Sequence, residues 1–217
     1  MARLASPPEG ISNVGPGDSY RPEVDGLRAV AVIVVLLFHA GVPGFQGGYV
    51  GVDVFFVISG YLITRLILGE LDAGRFTFSR FYGRRARRLF PAMFATLAAT
   101  FAAGVVLLSP SHLEELALSL VYTLLSVSNV LFWSQAGYFD TVSEAKPLLH
   151  TWSLGVEEQY YLLWPITVFL AYRLARRRGV QILAAAVGVA SLLGAELAVG
   201  RSPDAAFFLT PFRMCEL

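Results

Sequence analysis

Three polar residues recur along the first apolar segment at spacings that place them on one side of a helix. His39 lies eleven residues after Arg28 and fourteen after Asp25, and it interrupts the apolar run 29–42. Eleven helical residues make three turns plus about 20°, so the imidazole and the guanidinium share a face about 16 Å apart along the axis. Ionisable groups at membrane depth usually face a bundle interior or a water-filled path. The chemistry open to an imidazole there is proton transfer, and the arrangement predicts a buried reaction or transport site.

A second polar stripe begins a later apolar segment. Ser153, Glu157 and Tyr161 follow one another at i, i+4 spacing, so a helix places them on one face. We expect this stripe to face the bundle interior and to meet His39. The alternative is an aromatic belt at the membrane interface, with the carboxylate facing lipid headgroups. His150, just ahead of the stripe, is a weaker candidate than His39.

Asp53 is the other carboxylate near the outer end of an apolar segment. It follows Gly48 and Gly51, and Gly60 comes seven residues, about two turns, after it. The glycines by themselves predict only close helix packing. A carboxylate at that depth needs a partner, and His39 is expected at a comparable depth.

Four arginines stand within five residues, at Arg84, Arg85, Arg87 and Arg88. A helix places Arg84 beside Arg87 and Arg88, and such a set of guanidinium groups is suited to phosphates. The block therefore predicts an anionic cytosolic cofactor. The alternative is that the arginines only fix the orientation of the chain in the membrane.

The composition is that of a membrane protein with several spans. Hydrophobic residues make up 55% of the 217 and charged residues 15%, which predicts an all-α, polytopic bundle of transmembrane helices. The single cysteine, Cys215, excludes an internal disulfide and a cysteine-rich metal site, and we expect no bound metal. No nucleic-acid-binding module is recognisable, and no nucleic-acid partner is expected.

Hydropathy and arginine placement predict the topology. We expect about five spans and the start of a sixth near Pro211; the five lie at about 27–42, 49–68, 90–108, 152–172 and 180–199. Residues 1–24 are expected to form a disordered cytoplasmic tail, and both arginine blocks, 84–88 and 173–178, are placed in the cytoplasm. The stretch 109–151, whose apolar part is interrupted by serines, threonines and an asparagine, is predicted to carry one re-entrant or interfacial helix outside the cytoplasm.

Four segments, in this order along the chain, resemble one family of membrane enzymes. They are residues 20–28 with Phe38 and His39, residues 48–60, residues 81–91, and residues 149–159. Together they resemble the opening, the second helix, the cytoplasmic arginine motif and the central signature of acyltransferase family 3, the O-antigen and peptidoglycan O-acetylases. The resemblance implies that residues 25–217 are the N-terminal part of a longer transmembrane acyltransferase domain.

The resemblance also implies a reaction: transfer of an acyl group, expected to be acetyl, from cytosolic acyl-CoA to a hydroxyl of a cell-envelope carbohydrate or lipid-linked glycan. The location implied is the bacterial inner membrane, with the N-terminus cytoplasmic. A transporter or flippase of an envelope precursor without acyl chemistry is the main alternative, and a structural scaffold is the other.

Roles for the candidate residues follow from the resemblance and suit their chemistry. His39 would be the general base or a transient acyl carrier, and Glu157 and Asp53 would orient its imidazole. Coenzyme A would be bound by arginines, and smaller groups would position the substrates. The arginines are Arg28, Arg84, Arg85, Arg87 and Arg88, and the positioning residues are Asp25, Ser153, Tyr161 and His150.

Overall fold

The computed structural model describes residues 21–136 and 146–217, and every regular element in these ranges is helical. The helices are α1 (Pro22–His39), α2 (Gly51–Asp72), α3 (Phe78–Leu107), α4 (Pro110–Leu124), α5 (Ser128–Gln135), α6 (Thr151–Val199), α7 (Pro203–Phe208) and α8 (Thr210–Arg213). Short 3₁₀ turns at Gly48–Val50 and Met214–Glu216 complete the described elements. The all-α prediction is confirmed.

Three described helical segments are long and apolar enough to cross a membrane: Gly48–Asp72, Phe78–Leu107 and Thr151–Val199. They contain the second to fifth predicted spans. The helix α1 is not among them, and its first two turns carry Glu23, Asp25 and Arg28. The total of five spans stays a prediction.

The helix α1 begins earlier than the sequence predicted. It starts at Pro22, inside the tail expected over residues 1–24, and proline suits a first helical turn because its missing N–H has no partner there. Residues 1–20 of the predicted tail lie outside the described residues. The start at Pro22 puts Asp25 and Arg28 on the first two turns of a helix that ends at His39.

The long helix α6 folds back on itself near its middle. Ala175 and Arg176 have non-helical backbone angles, with Arg176 at φ 54°. Tyr160 and Val187 belong to one core cluster, although a straight helix would separate them by about 40 Å. The two halves therefore lie side by side, and the bend falls between the predicted segments 152–172 and 180–199.

Glycines allow α1 and α2 to pack closely, as the sequence predicted. A Cβ atom at Gly48 would collide with the Val34 carbonyl, and one at Gly51 would collide with the Ala31 carbonyl. Glycine removes this clash, and helix backbones can then touch. The result places the end of α1 against the start of α2.

The described part of the polar stretch 109–151, which leaves out residues 137–145, forms two helices, α4 and α5, instead of the single helix predicted. Asn129, on α5, is fully buried; its amide donates to the Phe208 carbonyl at 3.0 Å, and its oxygen accepts from Gln159 at 2.8 Å. A Cβ atom at Gly155 would lie 2.9 Å from Asn129 Oδ1, so the glycine lets α6 reach this group. The polar residues that suggested an interfacial helix therefore include partners in a buried network, which local sequence could not reveal.

Both arginine blocks lie at one end of the bundle. Arg84 donates to Glu70 at 2.7 Å, and Arg177 Nε donates to Asp72 at 2.8 Å. Glu70 and Asp72 form the last turn of α2, so the two blocks approach the same helix end. This agrees with a common side of the membrane, which the arginine rule predicts to be the cytoplasm.

Cysteine labelling can test the side of the membrane. In a Cys215→Ser background, Ser111→Cys should react with a membrane-impermeant thiol reagent in intact cells, because Ser111 is exposed at the start of α4. Ser79→Cys, also exposed but next to the first arginine block, should react only after permeabilisation. The reverse pattern would place the arginine blocks outside the cytoplasm and contradict the topology.

Candidate functional site

A cavity of about 1190 Å³ lies between α1, α2, α3 and the first half of α6. Eight arginines line it, against three carboxylates, so its formal charge is strongly positive. The arginines are Arg21, Arg28, Arg65, Arg75, Arg80, Arg84, Arg85 and Arg88, and the carboxylates are Asp25, Glu70 and Glu157. Such a surface favours an anionic ligand.

The cavity is long enough to approach the thickness of a bilayer. Its lining on α3 runs from Arg80 to Leu97, which a helix spaces about 26 Å apart, whereas a hydrocarbon core measures about 30 Å. Away from the arginines, hydroxyl groups and an imidazole line it, at Thr123, His150 and Ser153. The two ends therefore differ in chemistry: guanidinium groups at one end, and neutral polar groups toward the start of α6.

The first arginine block belongs to the first turns of α3. Arg84, Arg85 and Arg88 line the cavity, whereas Arg87 is exposed and is not among the lining residues. Arg84 is held by its ion pair with Glu70. The structure thus brings three of the four arginines of this block together with Arg28, so four of the five predicted cofactor-binding arginines line the cavity.

Some arginine donors in the cavity have no partner among the described residues. In the described ranges, Arg28 Nε and Arg85 Nε are buried and make no hydrogen bond. Arg28 is only loosely paired with Asp25, at 3.9 Å, and its guanidinium lies 5.0 Å from the Phe55 ring. A buried donor without an acceptor costs free energy, so these groups fit a ligand rich in acceptor oxygens, such as a phosphate.

The predicted stripe on α6 does face the bundle interior. Ser153, Glu157 and Tyr161 all line the cavity, and the Tyr161 hydroxyl donates to Glu157 Oε1 at 3.0 Å. The Glu157 residue is only 8% exposed. Across the part of the chain that is described, no hydrogen bond joins this stripe to His39, so the structure brings the stripe together with arginines instead.

His39 lies at the opposite end of α1 from the arginines. It is exposed, and its Nδ1 donates to the Val35 carbonyl at 2.8 Å, because a carbonyl can only accept. The Nε2 atom therefore carries the free lone pair. Its neighbour is His150, which lines the far part of the cavity. Burial lowers the pKa of His150, and the nearby His39 lowers this pKa further. A hydrogen bond to the Pro147 backbone acts in the other direction.

Asp53 has a guanidinium partner. Its carboxylate forms an ion pair with Arg213, and the Arg213 guanidinium also lies near the rings of Phe56, Trp152 and Phe207. Asp53 is not among the residues that line the cavity. The expected partnership with His39 is therefore replaced here by a contact with α8, which joins the end of the described chain to α2.

Sequence reasoning missed several cavity residues. Arg65, Arg75 and Arg80 line the cavity, and none of them forms an ion pair within residues 21–136 and 146–217. Their position was the available signal: Arg75 lies in the α2–α3 turn, and Arg65 and Arg80 lie in the helices on its two sides. A turn between two apolar helices places itself and both of its flanks at one membrane surface. In the same ranges, no group of three or more His, Cys, Asp or Glu side chains could hold a metal ion.

Comparison with known proteins gives one family. Residues 21–213 match the family described as acyltransferase domain, acyltransferase family 3. The chain is 39% identical over 157 residues to the peptidoglycan O-acetyltransferase OatA of Listeria monocytogenes, which covers 70% of the chain and 25% of that protein. It is 37% identical over 167 residues to the O-acetyltransferase OatA of Staphylococcus aureus, covering 76% and 27%. The chain thus spans about a quarter of the length of these relatives. No solved structure matches.

Proposed function

This chain belongs to acyltransferase family 3, and on that premise we propose that its protein transfers an acyl group to a hydroxyl of a cell-envelope glycan. Acetyl is the expected group, because the relatives are named as O-acetyltransferases, one of them acting on peptidoglycan. The observation that carries the proposal is that one cavity joins an arginine-rich end to an end lined by hydroxyl groups and by the imidazole of His150.

The proposed donor is acetyl-coenzyme A from the cytosol. Its phosphates suit the arginine end, where Arg28 Nε and Arg85 Nε are buried without acceptors and Arg65, Arg75 and Arg80 are free of ion pairs within the described chain. When bound, the donor would supply an activated thioester, and the arginines would hold its charged part. The length of the cavity along α3 is then available to the uncharged arm that carries the acyl group.

The proposed proton acceptor is His39. The hydrogen bond from Nδ1 to Val35 fixes the ring and leaves Nε2 free to take the proton of the acceptor hydroxyl. The hydroxyl oxygen then forms the new ester bond, the carbon–sulfur bond breaks, and the proton can leave with the thiolate. In the alternative route, Nε2 carries the acyl group transiently before the hydroxyl takes it.

The remaining candidates have supporting roles in this proposal. Glu157 and Tyr161 lie in the cavity beside Arg85, and Ser153 and His150 line its other end, where a glycan hydroxyl would approach. The protein would be placed in the bacterial inner membrane with the arginine blocks and N-terminus in the cytoplasm. This arrangement lets donor and acceptor enter from opposite sides.

A transfer assay in membranes tests the proposal. Membranes from cells that express the protein would be incubated with acetyl-coenzyme A labelled in the acetyl group and with a soluble cell-wall glycan fragment. We expect base-labile label on the glycan, because an O-acetyl ester is cleaved by mild base. Translocation of the glycan without any ester would favour a transporter or flippase, and would contradict acyl transfer.

A further inference from the structure

Arg85 differs from its neighbours because an aromatic ring covers one face of its guanidinium. Its Cζ lies 3.3 Å from the centre of the Tyr161 ring. Arg84, one residue earlier, is held by a direct ion pair with Glu70 at 2.7 Å. The two arginines therefore line the same cavity by different means: one is paired with a carboxylate, and the other is stacked on a ring.

The stacking leaves the donors of Arg85 without firm partners. Its nearest carboxylate oxygen, Glu158 Oε1, is 3.9 Å away, beyond hydrogen-bond distance. Arg85 Nε and Glu158 Oε1 are both buried, and neither forms a hydrogen bond within residues 21–136 and 146–217. Because the N–H groups of a guanidinium lie in its plane, a ring against the face holds the group without using any of them.

Tyr161 is itself held in place. It is 4% exposed, in the core cluster shared by α2 and α6, and its hydroxyl donates to the buried Glu157 carboxylate. A phenol that donates to a carboxylate is polarised toward the oxygen, which makes the ring more attractive to a cation. The ring is thus a fixed platform with an orientation set by α6.

We propose that Tyr161 is a positioning residue that acts through Arg85: its ring holds the guanidinium flat, with free in-plane donors, for the anionic part of the acyl donor. The inference rests on the proposed function only in identifying acyl-coenzyme A as the molecule that contains this anionic group. It assigns to Tyr161, the aromatic member of the Glu157–Tyr161 pair, a part in donor affinity, and none in the proton transfer at His39.

The test separates the ring of Tyr161 from its hydroxyl. Tyr161→Leu removes the platform and should raise the KM for acetyl-coenzyme A about tenfold, with kcat at saturating donor little changed, since the lost interaction is uniform binding. Tyr161→Phe keeps the ring and should change KM by about twofold or less. Binding of coenzyme A itself would be measured for the same variants.

Coupling to Arg85 shows whether the effect passes through that residue. In an Arg85→Ala background, Tyr161→Leu should cause no further rise in KM, because the two changes remove one shared interaction. Phe169→Leu is the matched control: it removes a ring 5.8 Å from the Arg173 guanidinium at the α6 bend, outside the cavity, and should leave KM unchanged. If Tyr161→Leu is not recovered from membranes, Tyr161→Met fills a similar volume without a ring and takes its place.

The outcomes distinguish this inference from the proposed function. If the unaltered protein neither binds coenzyme A nor transfers acetyl, the proposed function is wrong. Suppose instead that the unaltered protein does both and that Arg85→Ala weakens donor binding. The positioning role of the ring is then overturned if Tyr161→Leu leaves the KM for acetyl-coenzyme A unchanged. It is also overturned if Tyr161→Phe raises this KM as much as Tyr161→Leu does.

Discussion

His39→Gln should reduce acetyl transfer by about 10² to 10⁴, the range typical for loss of a general base. Glutamine keeps a hydrogen-bonding side chain of similar reach but has no nitrogen that takes a proton near neutral pH. His39 is exposed at the end of α1, so its replacement removes little packing. The measurement is the rate at which labelled acetyl reaches the glycan in membranes that contain equal amounts of protein.

A second histidine gives the control for this variant. His112 also forms a hydrogen bond through Nδ1, in its case with the Ser109 hydroxyl at 2.8 Å at the start of α4, away from the end of α1. His112→Gln should keep nearly the full rate. Coenzyme A binding should be unchanged by His39→Gln, because His39 is not among the residues that line the cavity and lies at the opposite end of α1 from Arg28. A His39→Gln rate above about a tenth of normal, well short of a catalytic base's contribution, would make His39 a structural residue.

The spacing of residues along a helix made part of the site predictable from the sequence. The i, i+4 pattern of Ser153, Glu157 and Tyr161 predicted one inward face, and the structure confirms that all three line the cavity. The same reasoning placed Arg84 beside Arg88, and both line it. These predictions succeed because a helix converts local sequence separation directly into direction.

Contacts between distant residues could not be predicted in this way. Asp53 pairs with Arg213, 160 residues later, and Asn129 meets the Phe208 carbonyl, 79 residues later. Periodicity shows which side of a helix is polar, but the partner depends on how helices cross and where the chain turns. For that reason the sequence predicted His39 as the partner of Asp53, whereas the packing of α8 against α2 makes the Arg213 guanidinium its partner.

The arginine block is the second place where a large effect is expected. Arg85→Ala with Arg88→Ala should weaken coenzyme A binding by at least about 100-fold, because each charge-assisted hydrogen bond to phosphate contributes on the order of 1.5 to 3 kcal/mol and two are lost. Equilibrium binding in detergent or nanodiscs measures this directly. The affinity of the unaltered protein should also fall as salt rises, and this dependence should be smaller in the double variant.

Two comparisons decide whether these arginines bind the donor or only orient the chain. Lysine at both positions keeps the charge but loses the planar fork, so it should restore only part of the affinity and all of the insertion. Arg173→Ala with Arg178→Ala removes the same charge from the α6 bend, away from the cavity, and should leave binding intact. If the Arg85 and Arg88 double variant inserts normally and binds coenzyme A as before, the buried Arg85 donor is not used by this ligand, and the block serves topology alone.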